Sequence, residues 1–251
     1  MDRSILAGRV VGETKTMDDV LAHYGIKGMR WGVRKEDDVA GRFQPVGAGG
    51  PKIDPKVHPA SQEAALKVSK LIQERYGYKV KEVQSFGPGH PEYAAGTLGY
   101  VQNTGSSKPE GNIHITQDDP RGGMKASEKA GWVAKGCGNP TAFLTHEAGH
   151  AIFHSREHHD RKGNVVGGNR EARMKAAEAM IEEAQKSGIA EHKLLGKISG
   201  YAATSGTREE IEAELFSQYH WHSNPPSFVK VWGETLHKEM GIDETPFKDQ
   251  R

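Results

Sequence analysis

The sequence predicts an α+β fold with a small mixed sheet, and three observations support this prediction. Apolar residues first recur at helical spacing between residues 61 and 76. Short segments rich in β-branched and aromatic residues follow, separated by clusters of Gly, Pro, Asn and Ser. After Pro140 the pattern becomes helical again and continues to residue 240. Strands grouped between helical regions are typical of an α+β domain.

The first helix is predicted to begin at a Ser61 cap and to end before Gly77. The strand segments are 79–86, 96–102 and 112–116. The last of these is predicted to be the edge strand, to which an extended peptide could add as a further strand. The later helices are predicted, in chain order, at 141–155, 170–186, 207–221 and 226–240.

Residues 1–57 are predicted to be a flexible N-terminal extension, and the folded domain is placed at 58–251. Gly and Pro in the run VGAGGPKIDPKVHP argue against regular structure, so residues 36–58 are interpreted as a linker. The segment HYGIKGMRWGVRK at 23–35 contains four basic residues, no acidic one, and Tyr, Ile, Met and Trp between them. We expect this segment to dock on an acidic or grooved surface of a partner.

The composition excludes several classes of protein. Lys and Arg number 34 against 33 for Asp and Glu, so no global basic field attracts nucleic acid or an anionic membrane. The single cysteine, Cys137, cannot form an intramolecular disulfide, which favours a reducing compartment. The first residues lack the apolar run of a signal peptide, and no segment approaches the roughly 20 apolar residues of a transmembrane helix.

The segment HEAGH at 146–150 predicts a metal site. His146 and His150 are four residues apart, so on a helix both imidazoles lie on one face and can reach one metal ion. Glu147, about 100° further round the helix, can then act as general base on a water that the metal activates. The alternative interpretation is a structural histidine pair.

A catalytic zinc site needs a third protein ligand and an open position. The compact HExxHxxGxxH arrangement is excluded, because Phe153 and Arg156 occupy the positions of its glycine and last histidine. Glu210 is the preferred third ligand, with Glu214 one turn later as the alternative ligand or as a hydrogen-bond partner of a ligand histidine. Thr207 offers a competing interpretation, since Thr207-x-x-Glu210 is also a capping box.

Other polar residues near these segments have weaker interpretations. A solvated acidic face explains Glu209 and Glu212. Tyr201 could donate a hydrogen bond to an oxyanion, or could pack a loop. Cys137 could block a zinc ion as a thiolate, but a small residue in a Gly-rich turn is the favoured interpretation. The segment HWH at 220–222 is interpreted as a helix end.

Residues 58–240 resemble gluzincin-type zinc metallopeptidase domains, typified by the catalytic domain of anthrax lethal factor. The shared elements are THEAGHAIFH, a long helical spacer, Tyr201, and an ExxAExF motif at 210–216. The spacing from Tyr201 to Glu210 is two residues longer than in lethal-factor-type sequences. The resemblance implies a zincin-like fold, Zn²⁺ on His146, His150 and Glu210, Glu147 as general base, Tyr201 as oxyanion donor, and Glu214 as a partner of a ligand.

The segment DDVLAHYGIKGMRWGVRK also resembles a short motif of structural and head-morphogenesis proteins of tailed bacteriophages. This resemblance implies a phage or prophage origin, a phage structural protein as partner of 23–35, and a location in the host cytoplasm or on the virion. We therefore expect a zinc metalloendopeptidase that hydrolyses a protein substrate, either virion-associated or delivered as a toxin. The alternative is a phage structural or accessory protein with a non-catalytic zinc site.

Overall fold

The computed structural model describes residues 44–45, 50–94, 98–103, 110–154, 158–159, 165–166, 169–243 and 245–249. These residues form a mixed α+β fold, as predicted. The basic segment 23–35 and most of the predicted linker lie outside the described residues.

One mixed sheet contains β1 (Gln44–Pro45), β2 (Lys52–Ile53), β3 (Lys79–Phe86), β4 (Gly99–Asn103) and β5 (Glu110–Thr116). The strand order is β1-β2-β3-β5-β4. The central pairs β2–β3 and β3–β5 are parallel, whereas β1 and β4 are antiparallel to their neighbours. Two further short strands, β6 (His158–His159) and β7 (Val165–Val166), pair with each other.

The prediction that 112–116 is the edge strand is wrong. These residues belong to β5, which lies between β3 and β4, so β4 is the edge on this side of the described sheet. The apolar side chains of β5 explain its place, because Ile113 and Ile115 are 2% and 1% exposed and pack in the core. A peptide that adds to the sheet on this side must therefore pair with β4.

The predicted linker and domain boundary also need correction. Lys52 and Ile53 pair with Glu82 and Val83 of β3, and both Ile53 and Val57 are buried in the core. Residues 52–57 are therefore part of the folded unit. A strand of two residues carries no periodicity that the sequence could reveal, and the prolines around it favour a loop interpretation.

The long helices lie close to where the sequence predicts them. Gly77, with a φ of 65°, ends the first helix as predicted. The predicted start is wrong, because the helix begins at Pro59 and its cap is His58, whose Nδ1 accepts a hydrogen bond from Ala60 N. The helices are α1 (Pro59–Tyr76), α2 (Pro91–Ala94), α3 (Arg121–Lys129), α4 (Pro140–His154), α5 (Arg170–Lys186), α6 (Glu191–Ile198), α7 (Gly200–Ser205), α8 (Arg208–Trp221) and α9 (Ser227–Met240), followed by a 3₁₀ turn at Phe247–Asp249.

Helix α4 lies between the sheet and α8. It contacts α1, β4 and β5 on one side and α8 on the other, while α5 packs against α9. Gly149 allows α4 and α8 to approach closely, since a Cβ at this position would lie 3.2 Å from Cα of Ala213 and 3.3 Å from Cδ1 of Phe216. This close contact brings the polar side chains of the two helices together.

None of the helices that the structure describes is long and apolar enough to cross a membrane.

Candidate metal centre

The two histidines of HEAGH lie one turn apart on α4, as the sequence predicts. Asn139 caps this helix, because its Oδ1 accepts a hydrogen bond from Ala142 N at 3.0 Å. His146 is 8% exposed and His150 is fully buried. The Nε2 atoms of the two imidazoles are 3.2 Å apart, so both rings face the same point.

Glu210, from the first turn of α8, completes a group of three ligand atoms. Its Oε2 lies 3.1 Å from His146 Nε2 and 3.3 Å from His150 Nε2. The ligand atoms of the three residues all lie within 4.8 Å of one another. This buried group can hold a metal ion.

The capping interpretation of Glu210 applies to its backbone and not to its carboxylate. Thr207 Oγ1 accepts a hydrogen bond from Glu210 N at 3.4 Å and so caps α8. The Glu210 carboxylate instead contacts the two histidines. Those histidines lower the pKa of Glu210 despite its burial, so the carboxylate is ionised and available as a ligand.

Glu214 contacts the other side of the His146 ring. Its Oε1 lies 3.1 Å from His146 Nδ1, so a proton on Nδ1 is donated to this carboxylate and Nε2 remains the ligand atom. Burial alone would lower the pKa of His146, but the hydrogen bonds with Glu210 and Glu214 outweigh burial and raise it. Of the two roles considered for Glu214, the geometry supports the hydrogen-bond partner.

Glu147 lies beside the ligand group and is 3% exposed. Its Oε2 has no hydrogen-bond partner among the described residues. Burial raises the pKa of this carboxyl to about 8, an effect that the charge on His146 opposes. Burial of a carboxyl oxygen without a hydrogen-bond partner costs free energy. Oε2 is therefore suited to bind a water molecule or another ligand.

The residues present fit a divalent cation. Two imidazole nitrogens and one carboxylate oxygen on two facing helices are a ligand set that zinc accepts. Glu210 and Glu214 are more than nine-tenths buried around this point, and buried ionised carboxylates require a nearby positive charge. A bound dication would supply that charge.

Glu212 does not belong to a solvated acidic face, contrary to the sequence interpretation. It is 6% exposed, and its Oε2 accepts a hydrogen bond from Nη1 of the buried Arg173 on α5. Glu209, by contrast, is partly exposed and forms an ion pair with Arg208 at 3.5 Å. The sequence offered no signal for the partner of Glu212, because Arg173 is far away along the chain.

Tyr201 lies next to His146, with 6.0 Å between the ring centroids. Burial, reinforced by the charges of Glu210, Glu147 and Glu214, raises the pKa of Tyr201, so its hydroxyl keeps its proton and can donate. Two backbone hydrogen bonds of 3.0 Å hold this segment, from Gly200 N to Gly131 O and from Tyr201 N to Trp132 O. The structure thus brings Tyr201 to the ligand group.

A mainly apolar pocket opens beside His146, Glu147 and Tyr201. Much of its wall comes from α3 and the loop after it, of which only Cys137 was related to the site from the sequence. The other lining residues are Leu98, Met124, Ser127, Val133, Cys137, Ala142, Phe143, Glu214 and Ser217. An enclosed apolar wall next to a polar ligand group is typical of a small-molecule or side-chain binding site.

Glu128, at the end of α3, fixes the loop that forms this wall. Its carboxylate accepts hydrogen bonds from Gly136 N at 2.9 Å and from Gly138 N at 2.8 Å. A Cβ at Gly138 would lie 2.6 Å from Glu128 Oε2, which explains the glycine. The two glycines that flank Cys137 in KGCGNP indicate a turn in the sequence, but they do not identify Glu128 as the side chain that binds the turn.

Cys137 lies within this loop as a buried residue of a Gly-rich turn, in agreement with the favoured interpretation. Burial raises the pKa of its thiol, so the thiolate that would block a metal ion is disfavoured. Its Sγ is not one of the grouped ligand atoms.

The HWH segment ends α8, as predicted, with His222 at the C-cap. His220 is fully buried, and its Nδ1 accepts a hydrogen bond from Phe247 N at 3.1 Å. The proton of the neutral ring is therefore on Nε2, which donates to the Tyr76 hydroxyl at 2.9 Å. Tyr76 in turn donates to His237 Nε2 at 2.6 Å. This network joins the C-terminal turn to the core and does not involve the ligand group.

Residues 14–38 match a family of unknown function, DUF7211. No curated protein and no solved structure matches the chain. The matched residues include the basic segment 23–35 and lie outside the part that the structure describes. The match therefore concerns the N-terminal segment and assigns no function to the folded unit.

Proposed function

We propose that the protein is a zinc-dependent metalloendopeptidase that hydrolyses peptide bonds of a protein substrate. The observation that carries this proposal is the buried group of His146, His150 and Glu210, with the unpartnered Oε2 of Glu147 beside it. Zincin-type peptidases require this combination of ligands and general base.

His146, His150 and Glu210 would hold the zinc ion, and Glu214 would keep His146 oriented with Nε2 as the ligand atom. When bound, zinc supplies Lewis-acid activation of a water molecule and of the substrate carbonyl.

Glu147 would accept a proton from the attacking water and pass it to the leaving amine. Its burial beside the ligand group, with Oε2 lacking a hydrogen-bond partner among the described residues, suits this carboxylate to take up and release that proton. Tyr201 would donate its hydroxyl proton in a hydrogen bond to the oxygen that becomes negative during attack. Its raised pKa favours the protonated form that this role needs.

An extended peptide is the substrate form that the sheet favours. Strand β4 presents its outer edge on this side of the described sheet, and Leu98 just before it lines the pocket. A peptide paired with β4 would therefore run past the apolar pocket and the ligand group.

Replacement of Glu147 by Gln tests this proposal. The variant and the wild-type chain should each bind one zinc ion per chain, and the variant should lose cleavage of a diverse peptide pool by at least about a hundredfold. Elemental analysis measures zinc, and mass spectrometry measures the cleaved peptides. Absence of cleavage by the zinc-loaded wild-type chain would contradict the peptidase proposal.

A second candidate is a phage structural or accessory protein in which the metal only stabilises the fold. The observation behind it is that residues 14–38 match a family of unknown function, DUF7211, separately from the folded unit, so this segment can have a role of its own. On this proposal the basic segment 23–35 binds a phage structural protein, and the chain is located in the host cytoplasm or on the virion. Glu147→Gln would then leave metal content and every function unchanged.

A further inference from the structure

Helix α8 contains three buried carboxylates at alternate positions. Glu210, Glu212 and Glu214 are 9%, 6% and 5% exposed. Because successive residues of an α-helix are about 100° apart, Glu210 and Glu214 lie within about 40° of each other, whereas Glu212 is about 200° away from Glu210. The first two therefore face the histidines of α4, and Glu212 points to the opposite side of α8.

Arg173 occupies that opposite side. It is 1% exposed, and its Nη1 donates to Oε2 of Glu212. Its guanidinium carbon also lies 5.9 Å from the ring centroid of Phe153, which is on α4 three residues after His150. Arg173 thus contacts both helices that supply the ligand group.

An amphipathic pattern does not select one rotation of α8. Every residue from Glu210 to His220 is buried, so the helix has no polar stripe that must face solvent. A helix that is buried on all sides lacks the amphipathic pattern that usually fixes its rotation. Specific contacts fix it instead. In the second half of α8, Ser217 Oγ donates to Ala142 O and Gln218 Nε2 donates to Ile198 O, both at 2.8 Å. In the first half, Glu212 accepts from Arg173.

A gain in stability does not by itself explain why the Arg173–Glu212 ion pair is present. Both charges lose their hydration on burial, and replacement of a buried ion pair by apolar residues of similar volume is often neutral or stabilising. Its contribution is directional, because the pair forms when the Glu212 side of α8 faces α5.

From this geometry we infer that Arg173, through Glu212, holds the first half of α8 in its rotation and thereby positions Glu210 and Glu214 for the metal ion. The inference rests on the metal-binding part of the proposed function. Arg173 acts as a positioning residue, since it touches neither the ligand histidines nor Glu210 in the described contacts. Ligand atoms must be held within about 0.5 Å of the productive geometry, so a small rotation of α8 is sufficient to weaken the site.

The test uses the full-length chain, freed of metal with a chelator and titrated with Co²⁺ and with Zn²⁺. The double variant Arg173→Met/Glu212→Met should fold, with a metal-free unfolding free energy close to that of wild type. Its Co²⁺ affinity should fall about tenfold, and the visible spectrum of bound Co²⁺ should change because the coordination geometry changes. A structural role alone would alter the stability and leave the spectrum unchanged.

Two further variants and a control complete the test. Arg173→Lys keeps a cation within reach of Glu212 and should bind Co²⁺ within about threefold of wild type, whereas Glu212→Asp shortens the reach by one methylene and should lose affinity. Lys175 on α5 forms an exposed ion pair with Glu239 at 2.6 Å, so Lys175→Met/Glu239→Met should bind Co²⁺ as wild type does.

The outcomes separate this inference from the proposed function. A wild-type chain that binds neither metal would refute the metal centre itself. If wild type binds Co²⁺ and the Met/Met variant binds it with equal affinity and the same spectrum, the positioning role is overturned. If the Met/Met variant fails to fold, the Glu212→Asp variant decides the question: Co²⁺ affinity equal to that of wild type would also overturn the positioning role.

Discussion

Oε1 of Glu214 lies 3.1 Å from Nδ1 of His146, on the side of the ring opposite the atom that faces Glu210. One imidazole therefore joins two carboxylates of the same helix. This contact fixes the ring orientation and the tautomer that leaves Nε2 available to a metal ion.

Glu214→Ala should therefore weaken zinc binding by about 10- to 100-fold while leaving all three ligands in place. Glu214→Gln retains an acceptor for the Nδ1 proton and should lose less affinity. Competition with a chromophoric chelator measures the dissociation constants, with Glu209→Ala on the same helix as control. An unchanged constant in Glu214→Ala would show that the contact does not support the ligand.

Glu210→Ala should reduce zinc affinity more than Glu214→Ala does, because it removes a ligand and not an outer partner. Loss of a capping group alone would cost about 1 kcal/mol of stability and leave zinc affinity intact. Glu209→Ala is the matched control, since Glu209 is partly exposed and paired with Arg208. Glu212→Ala is unsuitable as a control, because it would leave the charge of Arg173 buried without this partner. Equal zinc affinity in Glu210→Ala and Glu209→Ala would exclude Glu210 as a ligand.

The sequence predicts the ligand group well because its members are related by helix geometry. His146 and His150 share a helix face, as do Glu210 and Glu214, and this spacing can be recognised without knowledge of the fold. The position of Gly149 indicates close packing, and the structure shows Ala213 of α8 at that point.

Features that depend on pairing between distant segments were predicted less well. The central place of β5 depends on its partners β3 and β4, and nothing within 112–116 identifies them. Helix α3 has one buried apolar residue, Met124, and two glycines in its first turn, so it contains too few apolar residues to be recognised as a helix. For this reason the sequence did not predict the pocket wall, which α3 and the following loop form.

The corrected boundary changes the expectation for truncated chains. A chain that starts at Pro59 loses β2 together with the buried side chains of Ile53 and Val57, whose burial stabilises the fold by roughly 3 to 6 kcal/mol. A chain that starts at Gly50 retains them and should fold and bind zinc as the full chain does. Urea unfolding with parallel zinc titration compares the two. Equal stability of both truncated chains would show that residues 50–58 are dispensable.

The last prediction concerns stability below neutral pH. Burial, reinforced by the neighbouring basic groups His237, Arg75 and Lys248, lowers the pKa of His220 well below its ordinary value of about 6.5. Between the lowered folded pKa and about 6.5, the unfolded chain binds a proton that the folded chain does not. The stabilisation from neutral His220 is therefore complete above pH 6.5 and is lost as the pH falls, by up to about 1.4 kcal/mol per pH unit.

His220→Asn removes this titration and keeps an acceptor for the Phe247 N–H, so its unfolding free energy should fall less steeply with pH than that of wild type. Urea unfolding of both chains at several pH values from 7.5 to 5, with a chelator present to remove the contribution of metal, measures the two slopes. The other histidines titrate in both chains, so the difference between the slopes reports His220 together with its coupling to His237. Identical slopes would mean that His220 keeps its ordinary pKa in the folded chain, and that the hydrogen bond from Phe247 N does not hold the ring neutral.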